Sequence, residues 1–221
     1  MLPGPFYIYK CPNCGNLLQK GSILSGNTFY SILYSDGKRI GSMLPEFPEI
    51  TKCNKCDNIF WLSKSVEIGT YELGGKKNSK KWENADWLVS LGIDDYFKAL
   101  DSGIAKNKQE ELYIRQRIWY LYNDRVRDGQ DQFVDEKDEI RWRENCFELI
   151  SLLDQSDLNQ KIIVAEIYRN LGDFENCIKI IQSIDNDDFN WIKDKLINEC
   201  NRKNKHVIVL YNRRLRLFGK L

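Results

Sequence analysis

Histidine is nearly missing: His206 is the only one in 221 residues, and no cysteine or serine nucleophile stands near it in the chain. That scarcity removes most arrangements in which an imidazole serves as general base or metal ligand. A Gly-rich phosphate loop, a Gly-x-Ser-x-Gly elbow and a His-Glu-x-x-His pair are absent as well, so three common catalytic signatures do not apply. No apolar run approaches the roughly 18 residues that a membrane span needs. Met1 to Lys10 has no basic segment leading into a long apolar stretch, so no secretion signal is expected. Charge of one sign is lacking too, because 33 Lys and Arg offset 32 Asp and Glu to leave a formal +1. Such a balance gives no global pull toward nucleic acid or an anionic membrane. Nothing in these residues argues for an enzyme, and no catalytic residue is assigned.

Against these absences, hydrophobic residues make up 42% and charged residues 29%, proportions of a soluble globular protein. The length fits one large domain or two ordinary ones with real cores, which six Trp, eleven Tyr and ten Phe would fill. Seven cysteines occur, four of them in two Cys-x-x-Cys pairs. Without a signal segment this usage points to reduced thiols and metal rather than disulfides, and to a cytoplasmic location.

The first 73 residues are rich in Gly, Pro and Asn between short apolar runs, which reads as strands joined by turns. Candidate strands are Phe6 to Tyr9, Thr28 to Tyr34 and Ile59 to Leu62, with Ser35-Asp36-Gly37-Lys38 as a hairpin turn before Arg39 and Ile40. Pro45 and Pro48 make Leu44 to Pro48 a loop, since proline lacks the ladder donor. Residues 74–81, charged and Gly-rich, are the expected linker. From Trp82 the apolar period becomes helical. Cys146, Leu149, Ile150 and Leu153 follow one helical face, as do Phe174, Cys177, Ile178 and Ile181, and then Phe189, Ile192, Leu196 and Cys200. An earlier helix, about Lys108 to Arg127, carries Leu112, Ile118, Trp119, Tyr122 and Val126. Five substantial helices are expected between 108 and 201, with one or two shorter ones before them. The fold class is therefore α+β: strands in 1–73, helices in 82–205, and a basic, strand-like tail in 206–221.

The chemistry concentrates in Cys11-Pro12-Asn13-Cys14-Gly15-Asn16 and in Cys53-Asn54-Lys55-Cys56-Asp57-Asn58. Each is a knuckle with two thiolates separated by two residues, in a turn that aims backbone amides at sulfur. Four soft ligands suit a tetrahedral zinc ion. Residues 6 to 62 resemble a zinc ribbon, and the resemblance implies one structural Zn²⁺ held by Cys11, Cys14, Cys53 and Cys56, with a long hairpin between the knuckles. Structural zinc contributes on the order of 10 kcal/mol in small finger peptides, more than so few apolar residues can supply. Rubredoxins are similar at the first knuckle, which would imply iron and electron transfer. The second knuckle departs from them, with Asn54 where Pro is usual and Asp57 where Gly is usual.

Residues 158 to 184 resemble one tetratricopeptide repeat through Ala165, Tyr168, Gly172, Asp173, Phe174, Cys177, Ile181 and Ile184. The resemblance implies an irregular helical-hairpin domain that presents a surface to a protein or peptide partner. Cys146, Cys177 and Cys200 sit on apolar helical faces and are expected to be buried thiols without chemistry. The run Asp135 to Glu139 reads as a solvated helix start, and Tyr122 to Arg127 as a candidate interaction surface. Two basic clusters keep nucleic acid open as a partner: Lys76, Lys77, Lys80 and Lys81, and Arg202, Lys203, Lys205, Arg213, Arg214, Arg216 and Lys220. The strand-like His206 to Tyr211 is expected to join the ribbon sheet at an edge or to pair across a homodimer.

Overall fold

The computed structural model describes residues 1–72, 82 and 84–212. Its architecture is α+β, with small, mostly antiparallel sheets toward the N-terminus followed by six helices among the described residues. Contacts along the backbone divide the chain into two compact units, Met1–Phe29 with Gly41–Ile104, and Tyr30–Ile40 with Ala105–Leu221. These units do not coincide with the segments 1–73 and 82–205 marked by composition, and the expected linker 74–81 lies outside the described residues.

The first unit is built on four strands. β2 (Phe6–Lys10) pairs antiparallel with β3 (Leu17–Lys20) and with β9 (Val66–Tyr71), and β10 (Asp86–Trp87) pairs parallel with β3. Two smaller antiparallel pairs join β1 (Leu2–Pro3) to β4 (Ile23–Ser25) and β7 (Ile50–Lys52) to β8 (Ile59–Trp61). Ile8, fully buried on β2, packs with Trp82 and Ala85. Gln19 on β3 donates to the carbonyl of Ala85 at 2.8 Å, fastening the same segment through a polar bond. Helix α1 (Ile93–Asp101) buries Tyr96 and Ala99, and Lys52 at the end of β7 reaches its first turn at Asp95, 2.9 Å away.

The second unit takes its short sheet from the hairpin β5 (Ile32–Tyr34) and β6 (Arg39–Ile40), to which β11 (Val209–Asn212) adds antiparallel in the order β11-β5-β6. The turn falls where expected. Gly37 adopts φ +82°, the Lys38 amide donates to Asp36 Oδ1 at 3.0 Å, and the Tyr34 amide donates to the Lys38 carbonyl at 2.9 Å. Strand β11 thus joins the β5–β6 hairpin, and of the segment between the knuckles only that stretch, Tyr30–Ile40, belongs to the second unit. Five helices follow the expected order: α2 (Lys108–Arg127), α3 (Glu136–Leu152), α4 (Leu158–Asn170), α5 (Phe174–Gln182) and α6 (Asn190–Asn201). Asn107, Asp135, Asp157 and Asp173 cap α2 to α5, each accepting from a first-turn amide, which satisfies donors the helix itself leaves open.

Helices α4 and α5 form a hairpin across Leu171 to Asp173, where Gly172 takes φ +82°. Ala165, Cys177, Ile181, Ile184, Leu196 and Cys200 close its core with α6. The apolar stripe of α2 is centred on Ile114, Ile118, Trp119 and Tyr122, while Leu112 and Val126 flank it half-buried.

Candidate metal centre

Each knuckle is the tip of an antiparallel hairpin. Lys10 pairs with Leu17 at the end of β2 and β3, and Lys52 pairs with Ile59 at the end of β7 and β8. Between those pairs the backbone repeats itself bond for bond. Cys11 donates to the Asn16 carbonyl at 2.8 Å and Cys53 to that of Asn58 at 2.9 Å; Gly15 donates to the Cys11 carbonyl at 3.0 Å and Asp57 to that of Cys53 at 2.9 Å. Gly15 and Asp57 both stand in the left-handed region, at φ +73° and +55°. Asp tolerates that region better than most side chains because its short polar group bonds locally. The Asp that separates the second knuckle from the glycine pattern therefore serves the same turn.

The two tips bring the four sulfurs together. Cys11 Sγ lies 3.7 Å from Cys56 Sγ and Cys14 Sγ 3.6 Å from Cys53 Sγ, and all four lie within 4.8 Å of one another. A tetrahedron with metal–sulfur bonds of about 2.3 Å has edges of about 3.8 Å, so the spacing suits one ion. The amide of Lys55 points at Cys53 Sγ from 3.4 Å. Cys11 and Cys53 are buried in a small core with Leu18, Phe60 and Leu62, whereas Cys14 is exposed.

Crowding divides the thiols. The Asn13 side chain and the Asn58 amide pull Cys56 down to about 6, with neighbouring thiols adding to the effect. At Cys14 the Asn16 amide pulls downward, but loss of solvation and the protons it shares with Cys56, Cys53 and Cys11 push it up to about 12. Without a cation the cluster holds some thiols protonated on behalf of others; a divalent ion at the centre favours the thiolate form of all four.

The other sequence candidates are placed elsewhere. Cys146, Cys177 and Cys200 are buried within the helical unit, and burial pushes the Cys146 thiol up. Asp138 is not solvated: it is buried beneath Tyr122, Arg125 and Arg141. Nor do Tyr122 to Arg127 form an outward surface, since Tyr122 and Asn123 are buried and Arg127 is nearly so. The sequence missed this interior polar network because charged residues on a helix give the same pattern whether they face water or one another. Arg202, Lys203 and Lys205 are exposed; Arg213, Arg214, Arg216, Lys220 and the cluster Lys76 to Lys81 lie outside the described residues.

Fold and site together define a chain with a ribbon-like four-cysteine centre, placed to hold a metal ion, and a helical C-terminal part. Comparison with protein-family models, with curated proteins and with solved structures gives no match. No helix among the described residues is long and apolar enough to cross a membrane.

Proposed function

We propose that the four thiolates hold one structural Zn²⁺ and that the protein is a non-enzymatic interaction or scaffold module. The observation that carries this reading is the convergence of Cys11, Cys14, Cys53 and Cys56 to within 4.8 Å from two hairpin tips. Four protein ligands close a tetrahedral sphere and leave no position for water or substrate. Zinc rather than iron follows from the second knuckle, where Asn54 and Asp57 replace the Pro and Gly of rubredoxins. The helical hairpin Leu158–Gln182, with its tetratricopeptide-like residues, supports a protein or peptide partner.

Metal analysis of the intact chain tests the first part: zinc near one per chain, and its loss in Cys53→Ser, are expected. A red, reversibly reducible, iron-loaded protein would replace this reading with electron transfer. For the second part, affinity capture with the intact chain is compared with its Cys11→Ser form. A partner held only by the intact chain supports a ribbon that positions the interaction surface, and absence of any specific partner removes the scaffold role.

A further inference from the structure

A cleft of about 570 Å³ opens on the helical unit, within the range of ordinary small-ligand sites. Strand register builds its floor. Tyr211 on β11 pairs with Leu33 on β5, and Leu33 pairs with Arg39 on β6, so these three side chains form one row on one face of the sheet. Helix α6 builds its wall with Trp191 and Lys195, four residues apart and hence on the same side of the helix. Trp191 is 44% exposed, a large area for an indole. Arg39 donates to the Ser31 hydroxyl at 3.1 Å, and Lys195 donates to the Leu210 carbonyl. Both acceptors are neutral. Among the described residues neither cation enters an ion pair and no acidic side chain lines the cleft.

Two cations with no ion-pair partner among the described residues, set beside two aromatic rings, Leu33 and Leu210, suit a ligand that offers negative charge and a flat face together. An acidic peptide would satisfy the cations and leave the rings unused. A nucleotide uses both, because each base has a π-face and each phosphate a charge. We propose that this cleft binds a phosphorylated nucleoside, its base against Trp191 and Tyr211 and its phosphate between Arg39 and Lys195. The ligand is either a free nucleotide or one unit of a single strand. This goes beyond the zinc-scaffold reading and is independent of it.

The test uses the full-length chain and follows binding of a labelled single-stranded oligonucleotide by fluorescence anisotropy, with mononucleotides and an acidic peptide as competitors. Binding should weaken roughly seven-fold between 50 and 200 mM salt for two phosphate contacts. Trp191→Ala should weaken it about ten-fold or more, as loss of one stacked base does, and Lys195→Ala and Arg39→Ala should each reduce the salt dependence. Trp191→Phe keeps a ring and should retain most of the affinity, which separates stacking from any change in fold. Competition by mononucleotides at similar concentration assigns the source to free nucleotide, and competition by oligonucleotide alone assigns it to a strand. Binding indifferent to Trp191→Ala and Lys195→Ala, equal competition by the acidic peptide, or no binding below millimolar concentration would overturn the proposal.

Discussion

Arg127 donates to Asp36 Oδ2 at 2.7 Å, and the two side chains are 4% and 0% exposed. Asn123 reaches the same oxygen at 3.1 Å, and Arg127 also bonds Asp124 and lies over the Tyr34 ring at 4.8 Å. A turn residue that looks like surface is thus the inner anchor of the hairpin. Removing one partner of a buried pair strands the other charge, at a cost of about 3–5 kcal/mol. Asp36→Ala and Arg127→Ala should each lower stability by about that amount in urea denaturation. The double variant should lose clearly less than the sum, because neither charge is then left alone. Additive losses would mean that the pair contributes no coupling.

The equivalence of Gly15 and Asp57 makes a prediction about the metal. A non-glycine residue in the left-handed region costs about 1–2 kcal/mol, less for Asp. Asp57→Gly should therefore tighten metal binding by up to about five-fold, or about 1 kcal/mol, whereas Asp57→Ala should weaken it. Gly15→Ala should weaken it as well, since an added Cβ would also meet Lys10 Cε at 3.2 Å. Competition with a colorimetric zinc chelator measures all three, and a tighter Asp57→Ala would refute the assignment of strain.

Acid should act through Asp138. Burial alone would raise its carboxyl, but Tyr122, Arg125, the Val134 amide and Arg141 all donate to it and hold it well below the usual carboxylate range. A depressed folded-state value means stability that is fully present above the unfolded value, near 3.9, and lost as the pH falls below it toward the folded value. At neutral pH Asp138→Asn should be less stable by about 2–3 kcal/mol, the worth of hydrogen bonds to a charged group. The gap between wild type and variant should then narrow steadily below about pH 4. A gap that stays constant from pH 7 to pH 2 would place the loss in packing rather than in charge.

The metal site was legible because its information is local: spacing within each knuckle sets the turn, and the turn aims the sulfurs. The start of α3 was legible for the same reason, as Asp135 accepts from an amide three residues ahead. The destination of the 30–40 hairpin was not. Asp36 finds Arg127 91 positions away and Ser35 finds Glu166 131 positions away, and no period or turn signal encodes such partners. Strand β10, two residues long, is too short to show any alternation. Asp138 escaped notice because its run, Asp135 to Glu139, does contain a genuine cap in Asp135, and one solvated residue made the rest look alike.

The Ser35–Glu166 contact carries the last prediction. Ser35 donates to Glu166 Oε1 at 2.5 Å, and Arg169 closes on the same carboxylate through two nitrogens at 2.6 and 2.8 Å. Glu166 and Arg169 are wholly buried. Arg169 also donates to the carbonyls of Asn204 and His206, and Ser35 accepts from the Ile208 amide at 3.0 Å. One buried ion pair therefore fastens the hairpin, helix α4 and the approach to β11 together. A fragment of residues 105–212 lacks Ser35 and Asp36 and would keep Glu166, Arg169 and Arg127 with part of their partners gone and β11 without β5. Buried polar groups left unsatisfied cost about 1–3 kcal/mol each, and more when charged, which approaches the whole stability of an ordinary domain. The fragment should retain helical circular dichroism yet melt without a cooperative transition, and a chain restored with the hairpin should melt sharply. A cooperative melt of the isolated fragment, close to that of the intact chain, would make the hairpin an accessory rather than part of the core.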